Sequence, residues 1–327
     1  MTSSIDDNID FDLSDLPNKL SKSPYLTKTN SNGTLELDKD AYDDLLKKTI
    51  DSLDIVSRAF DKYSPNEIAF SFNGGKDCCV LLHLIHYALT KKCQSLRDQQ
   101  QQQHRVEGEE TRTPINNSCS VNSHQDSGTG DDKDINTRGT QGYISPEMNS
   151  LNNHKNNNNT NHEKINHSIP ELRTLYFIND KCFPSVNEFT EKCAKLYKLN
   201  VTNISKGIKE GLEEVVEKYN IKAVFAGARN TDPHCEHLDD FTPTDPGWPQ
   251  LMRINPILQW NYKNVWQFIH TFRVPYCNLY DQGYTSIGHI DDTIPNPSLL
   301  DASSGIYKPA HHLLDGSLER CGRIKKK

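Results

Sequence analysis

The sequence predicts an α/β fold, an open and mostly parallel sheet with helices on both faces and a loop-rich C-terminal subregion. Three observations predict it. Between residues 172 and 227, apolar runs of strand length alternate with stretches whose apolar residues recur at three- and four-residue steps, as strands joined by crossover helices do. An earlier run, Glu67-Ile-Ala-Phe-Ser-Phe72, passes through Asn73-Gly-Gly75 straight into the helix-like Cys78-Cys-Val-Leu-Leu-His-Leu-Ile85, so a single glycine turn links strand to helix. The hydrophobic content of 34% is also uneven, because one polar stretch at 94–169 dilutes a chain that is otherwise rich enough to bury a core.

Taken in order, residues 1–38 are polar and acidic, with Pro17 and Pro24 among serines and asparagines, and read as a flexible leader, with packing of part of it on the body as the alternative. From Asp40, the residues Leu45, Leu46, Thr49, Ile50, Leu53, Val56 and Phe60 form a helical stripe that Ser64-Pro65 ends. The strand at 67–72 and a helix from 77 to about 92 follow. The stretch 94–169, with Gln99–Gln103 and Asn156–Asn159, cannot bury enough apolar area to offset its ordering entropy and reads as a disordered insertion. Its histidines, His104, His124, His154, His162 and His167, lack ligand spacing. Order resumes with a strand at 172–178, a helix opened by Pro184 with Val186, Phe189, Cys193 and Leu196 on one face, a strand at 200–204, a helix at 207–219 and a strand at 223–227. The expected organisation is thus one domain, 39–93 with 170–327, carrying a leader at 1–38 and an insertion at 94–169.

Composition excludes several classes. The chain has 327 residues and a formal charge of −7, and no apolar run reaches the roughly 18 residues of a membrane span. The first residues carry neither a basic nor an apolar signal region, so a cytoplasmic protein is expected. Nine cysteines without a Cys-x-x-Cys pair argue against a disulfide scaffold or a structural zinc. The acidic balance argues against nucleic acid, since the clear basic cluster is the terminal Arg323 to Lys327 run. A monomer or weak homo-oligomer is expected.

The chemistry gathers at the strand ends. Gly74 and Gly75 lack the Cβ that would block an anion's approach, so backbone N–H groups at a helix start converge on a phosphate, and Lys76 adds charge. The spacing is not Gly-x-x-x-x-Gly-Lys-Ser/Thr, and no hydroxyl follows the lysine, which excludes a Walker-type site. The loop after the last strand, Gly227-Ala-Arg229-Asn-Thr-Asp232-Pro233, leaves on the same edge; Arg229 suits a forked phosphate contact, and Asp232 implies a cation or a hydrogen-bonding ligand between it and phosphate, or only a turn start. Asp245-Pro-Gly-Trp248-Pro249 holds a tryptophan between prolines, a hydrophobic plug or a platform for a flat ring, with the plug favoured on this segment alone. In the helix at 260–272, Trp266, Ile269 and Phe272 are expected in the core.

Read together, the cradle, Arg-x-Thr-Asp-Pro, Asp-x-x-Trp-Pro, Arg253-Ile-Asn-Pro256, Leu279-Tyr-Asp-Gln-Gly-Tyr-Thr-Ser-Ile-Gly288 and Glu319-Arg-Cys-Gly-Arg323 resemble the eukaryotic FAD synthetase family, the FMN adenylyltransferases with a sulfonucleotide (PAPS) reductase-like fold. The resemblance covers about 64–93 and 172–327, and implies FMN plus ATP giving FAD plus diphosphate with Mg2+. It implies Asn73, Asp77, Asp232, Arg320 and Arg323 as catalytic, the two arginines as a late-closing clamp on a mobile tail. Ser71, Phe72, Gly74, Gly75, Lys76, Ile178, Asn179 and Arg229 would bind ATP. Asp245, Trp248 and Arg253 would bind FMN, and Asp77 and Asp232 would serve magnesium directly or through water. The alternatives are a sulfonucleotide (PAPS or APS) reductase, suggested by Cys321-Gly322, an inactive nucleotide- or flavin-binding regulator, and, more weakly, a transfer-RNA thiolation enzyme. No histidine follows Cys321, and no downstream Cys-x-x-Cys completes an iron–sulfur site for Cys78 and Cys79. Cys321→Ser is expected to leave adenylyl transfer within about twofold of wild type in a direct FAD assay, in keeping with a surface substitution, whereas a reductase would lose its activity.

Overall fold

The computed structural model describes residues 9–110 and 171–324. The chain forms a main body of residues 1–97 and 167–327 and a second unit of 98–166. In the body, α1 (Leu16–Ser21), a hairpin of β1 (Thr27–Thr29) and β2 (Leu35–Leu37), and α2 (Lys39–Lys62) precede the sheet. The sheet itself comprises β3 (Ile68–Ser71), β4 (Arg173–Phe177), β5 (Asn200–Ile204), β6 (Ala223–Phe225), β7 (Phe241–Pro243) and β8 (Met252–Ile254). The helices α3 (Lys76–Glu110), α4 (Pro184–Leu196), α5 (Ile208–Tyr219) and α6 (Tyr262–Phe272) complete the regular elements.

The strands lie in the order β5-β4-β3-β6-β8-β7, all parallel except β7, which pairs antiparallel with β8. The chain builds outward from β3 to β4 and β5, then returns to place β6 on the other side of β3. That reversal leaves a crevice at the carboxyl ends of β3 and β6, where open α/β sheets bind ligands. Ile68, Ala69 and Phe70 are buried on both faces, as a central parallel strand requires. Ala69, Leu175, Ile204 and Val224 pack with Val215 of α5 on one face. Phe70, Phe225 and Ile254 join the inward residues of α2, α3, α4 and α6 on the other. Trp266, Ile269 and Phe272 are buried as expected. Trp260 Nε1 donates to Ser52 Oγ at 2.9 Å, and Ser52 donates to the Pro256 carbonyl at 2.7 Å, which fastens α2 to the segment entering α6.

Three expectations are corrected. The leader is not flexible over its described part, residues 9–38: Leu13, Leu16, Leu20 and Leu26 are buried in the main core. Four well-spaced leucines suffice to anchor a segment that is polar on average. The helix begun at Lys76 does not stop near 92 but runs to Glu110, because Gln, Lys, Arg and Glu are good helix formers and no proline intervenes. The expected disorder therefore fails for 94–110, and its remainder, 111–169, lies outside the described residues. β7 and β8 were not foreseen, since three-residue strands carry too little periodicity to register. No helix among the described residues is long and apolar enough to cross a membrane.

His83, buried in α3, pins the leader. Its Nε2 donates to the Asp10 carbonyl at 2.9 Å, which leaves Nδ1 to accept from the Tyr197 hydroxyl at 3.2 Å, and Phe11 stacks on the ring at 5.5 Å. Burial lowers the imidazole from its ordinary 6.5 to about 4, so the folded state keeps it neutral while the unfolded chain takes up a proton first. Stability from this site is complete above 6.5 and is lost as pH falls toward about 4, a difference on the order of 3 kcal/mol. Urea midpoints at pH 7, 5.5 and 4.5 are expected to fall accordingly, and His83→Phe is expected to flatten that slope.

Candidate active site

The cradle closes β3 and opens α3. The Phe72 ring is buried beneath it, and Phe72 N–H donates to the Leu175 carbonyl at 3.1 Å, fixing the strand's last step. Asn73 Oδ1 accepts from Gly75 N–H at 2.9 Å, so the side chain makes the turn and leaves its NH2 as a donor at the groove wall. Gly74 holds φ at +71°, and a Cβ there would lie 2.8 Å from Val186 Cγ1, which explains glycine at this position. Lys76 N–H donates to the buried Tyr280 hydroxyl at 2.9 Å. A groove of about 460 Å³ runs past this turn, and Ser71, Phe72, Asn73, Gly75, Ile178 and Asn179 all line it. Its far wall is Ile287, Gly288 and His289, with Lys206, Gly207 and Ile208 at one end.

Lys76 and Arg229 do not face that groove. They are 1% and 2% exposed, respectively, and each is enclosed by carboxylates. Lys76 Nζ binds Glu319 and lies 3.0 Å from Asp77 Oδ2. Arg229 Nε is 3.1 Å from Asp77 Oδ1, and its NH2 meets Asp232 Oδ1 at 3.1 Å and Glu319 Oε1 and Oε2 at 2.9 and 2.8 Å. Both charges, expected on phosphate, lie here inside a buried knot of two cations and three carboxylates. Burial alone would raise the Asp77 carboxyl, but the Lys76 and Arg229 charges override it and hold it below the ordinary carboxylate range. Burial pulls on Arg229 in the opposite sense, and Asp77, Glu319 and Asp232 keep it firmly charged.

The expected magnesium role of Asp77 and Asp232 meets the same fact. Three of the four oxygens of these carboxylates accept hydrogen bonds from Lys76 or Arg229, Asp232 Oδ2 from Arg229 N–H at 2.9 Å. The fourth, Asp77 Oδ1, is buried 3.1 Å from Arg229 Nε without a hydrogen bond, and is the oxygen of the pair that a cation could take up, directly or through water.

The tail is fastened to the body. Ile294 N–H donates to the Gly322 carbonyl at 2.9 Å, Ile324 N–H to the Asp292 carbonyl at 2.8 Å, and Thr293 and Arg323 form a bridge. Asn296 Nδ2 donates to the Leu318 carbonyl at 2.8 Å and Thr285 Oγ1 to the Glu319 carbonyl at 2.6 Å. The expected mobile tail is thus a paired segment through Ile324, with Arg320 exposed and Arg323 half-buried beside Gly288. Among residues given no role by the sequence, Glu319 and Tyr280 stand out. Both lay inside recognised motifs, but a buried carboxylate partner cannot be told from a surface glutamate by its letter.

Asp245, Trp248 and Arg253 form a separate group. Pro246 and Gly247, the latter at φ +83°, make a turn closed by Trp248 N–H on the Asp245 carbonyl at 3.1 Å. Arg253 NH2 lies 3.2 Å from Asp245 Oδ1 and donates to the Pro243 carbonyl at 3.0 Å. Trp248 is 38% exposed, more than a buried plug would be. Because the turn joins β7 to the start of β8, it sits at the amino edge of that strand pair, whereas the cradle sits at the carboxyl edge. The structure does not bring the two groups together.

Residues 185–295 match the phosphoadenosine phosphosulfate reductase domain. Over 273 residues the chain is 33% identical to a probable FAD synthase of Schizosaccharomyces pombe, an alignment covering 83% of this chain and 77% of that one. The chain belongs to the FAD synthase family. It is an adenylyltransferase. A probable FAD synthase of Caenorhabditis elegans is 30% identical over 86% of this chain, which spans only 41% of that longer protein. The Candida glabrata FMN adenylyltransferase crystallised with FMN and the ATP analogue AMPCPP shares the fold, with a TM-score of 0.60 at 22% identity over 95% of this chain and 99% of that one. A phosphoadenosine phosphosulfate reductase of Saccharomyces cerevisiae is 30% identical over 99 residues, only 30% of this chain, and the exposed Cys321 lies outside the residues matched to the reductase domain.

In this FAD synthase family member, Glu319→Ala would leave two buried cations facing only two carboxylates. Urea unfolding is expected to show a loss of about 3–5 kcal/mol, and a loss below about 1 kcal/mol would remove Glu319 from the account of the knot.

Proposed function

We propose that the groove beside the cradle takes ATP and that the Asp245–Arg253 region takes the flavin ring of FMN. One observation supports this most: in a chain of this family, Ser71, Phe72, Asn73, Gly75, Ile178 and Asn179 come from two separate strand ends yet line one groove at the carboxyl ends of the parallel neighbours β3 and β4. Strand-end backbone and Ile178 would frame adenosine, while the N–H groups of the Asn73–Gly75 turn and the start of α3 would receive the triphosphate. FMN is long, with a ribityl chain between ring and phosphate, and would have to reach both along β8, whose three residues rise about 10 Å, and across the two strand spacings, roughly 9–10 Å, that separate β8 from the cradle strand β3.

The reaction forms one bond and breaks one. An FMN phosphate oxygen joins the α-phosphorus of ATP, and the bond from that phosphorus to the bridging oxygen of the leaving diphosphate breaks. A phosphate monoester with a second pKa near 6 is already largely ionised at neutral pH, so no side chain must remove a proton. Positioning and charge stabilisation carry the rate. Asn73 would donate through its NH2, and Arg320 and Arg323 would neutralise the leaving diphosphate. Asp77 and Asp232 would act by holding Arg229 and the α3 start in place. A cytoplasmic, monomeric or weakly self-associating enzyme without nucleic-acid partners fits this small-molecule chemistry.

Incubation with FMN, ATP and magnesium is expected to give FAD, followed by chromatography, and diphosphate in equal amounts. Folded, nucleotide-binding protein that yields neither would overturn the proposal. Trp248→Ala is expected to raise the FMN KM about tenfold with the ATP KM little changed, matching the loss of a stacking platform.

A further inference from the structure

The far wall of the groove carries a wiring that the reaction described so far does not use. Asn179 Oδ1 accepts from Lys181 N–H at 2.9 Å, which turns its NH2 toward His289 Nε2 at 2.8 Å. With the Asn179 NH2 as donor, Nε2 is the accepting nitrogen, and the Nδ1 side of the ring faces Asp292, whose backbone closes a capping box with the His289 side chain. Nδ1 lies 3.4 Å from Asp292 Oδ2. The other oxygen of Asp292 accepts from His289 N–H at 3.0 Å and Thr293 Oγ1 at 2.8 Å and lies 3.4 Å from Arg323 NH2. Burial would raise the Asp292 carboxyl, but Thr293 and Arg323 hold it below the ordinary range, so it stays anionic between histidine and arginine.

Two further contacts make this chain stiff. Ile290 N–H donates to the Lys181 carbonyl and Lys181 Nζ to Asp291 Oδ2, both at 2.8 Å, joining the loop after β4 to the segment at 289–292. Gly288 has no side chain where one would do harm: a Cβ there would lie 2.1 Å from Arg323 Cζ. The guanidinium is seated on Gly288, at the lip of the groove that Asn179, Gly288 and His289 line.

We propose that His289 is a positioning residue that couples Asn179, on the nucleotide wall, to Arg323 through Asp292, with Gly288 as the seat of the guanidinium. The inference rests on the reading of the groove as the ATP site. Its consequence is that the side chain framing adenosine and the cation facing the leaving diphosphate are held by one ring, so nucleotide binding and arginine alignment share a support.

The two ring nitrogens can be tested apart. Asparagine places its amide near the Nδ1 position and glutamine near the Nε2 position. His289→Asn is expected to keep Arg323 aligned but lose the partner of Asn179, raising the ATP KM about three- to tenfold with kcat within about twofold. His289→Gln is expected to do the reverse, lowering kcat about tenfold with the ATP KM within about twofold, and Gly288→Ala is expected to lower kcat by displacing Arg323. Titration with a non-hydrolysable ATP analogue should show weaker binding for His289→Asn and wild-type binding for His289→Gln. Thermal melts identify any variant that fails to fold, and Gly288→Ala then carries the kcat arm. Equal shifts in both parameters for Asn and Gln, or no shift in either folded variant, would overturn the coupling. Wild-type protein that makes no FAD would instead overturn the functional reading, while the analogue titration still reads the Asn179–His289 contact.

Discussion

The buried knot of Lys76, Asp77, Arg229, Asp232 and Glu319 is the constraint on which the rest of the site depends. Two cations removed from water cost several kcal/mol each unless carboxylates and hydrogen bonds replace their hydration. Here three carboxylates do so, and they come from the first turn of α3, the loop after β6 and the tail. The knot therefore joins three segments far apart in sequence at the sheet's reversal point. It also sets where the neighbouring groups stand: Glu319 immediately precedes Arg320, Asp77 lies in the first turn beyond the cradle, and Lys76 N–H is held by Tyr280. Charge that looked available for phosphate is used to build the frame, and backbone N–H groups with the exposed arginine of the tail are left to meet a ligand.

Most of the sheet was legible because strand-length segments with apolar residues alternate with helical stripes, and the helix at Pro184 and the strand at 200–204 have the expected positions. What escaped has a common cause. The leader is held by Leu13, Leu16, Leu20 and Leu26, four contacts too sparse to change its average polarity. β8 is three residues long inside a motif that invites attention for its arginine. Lys76 and Arg229 sit in motifs suited to phosphate, and only the position of Glu319, a buried partner contributed from far along the chain, shows that they point elsewhere. Sequence spacing reports which groups lie near an element's end; it does not report which of them is already neutralised by a distant segment.

The groove and the Asp245–Arg253 region differ in how they are built. The groove is made by rigid parts: strand ends, a glycine turn with φ fixed by packing, and a wall laced to the loop after β4 by Asn179, Lys181 and His289. The Asp245–Trp248 turn, in contrast, is a surface loop clasped at its base by Thr244, whose Oγ1 donates to the Pro249 carbonyl, with Arg253 set against Asp245. On the proposed reading, a nucleotide would draw on preorganised walls, while a ring at Trp248 would arrive from the open side.

That exposure separates the chain's three tryptophans by environment. Trp260 and Trp266 are buried in the core, at fixed distances from Phe268 and Tyr280, and only Trp248 presents its ring to solvent. Their emission is therefore divided by environment as well as by position. Water-borne quenchers reach one indole and not the other two, so the molecule carries a built-in optical reporter at the place where a flavin would arrive and two internal references that register only whether the core is intact.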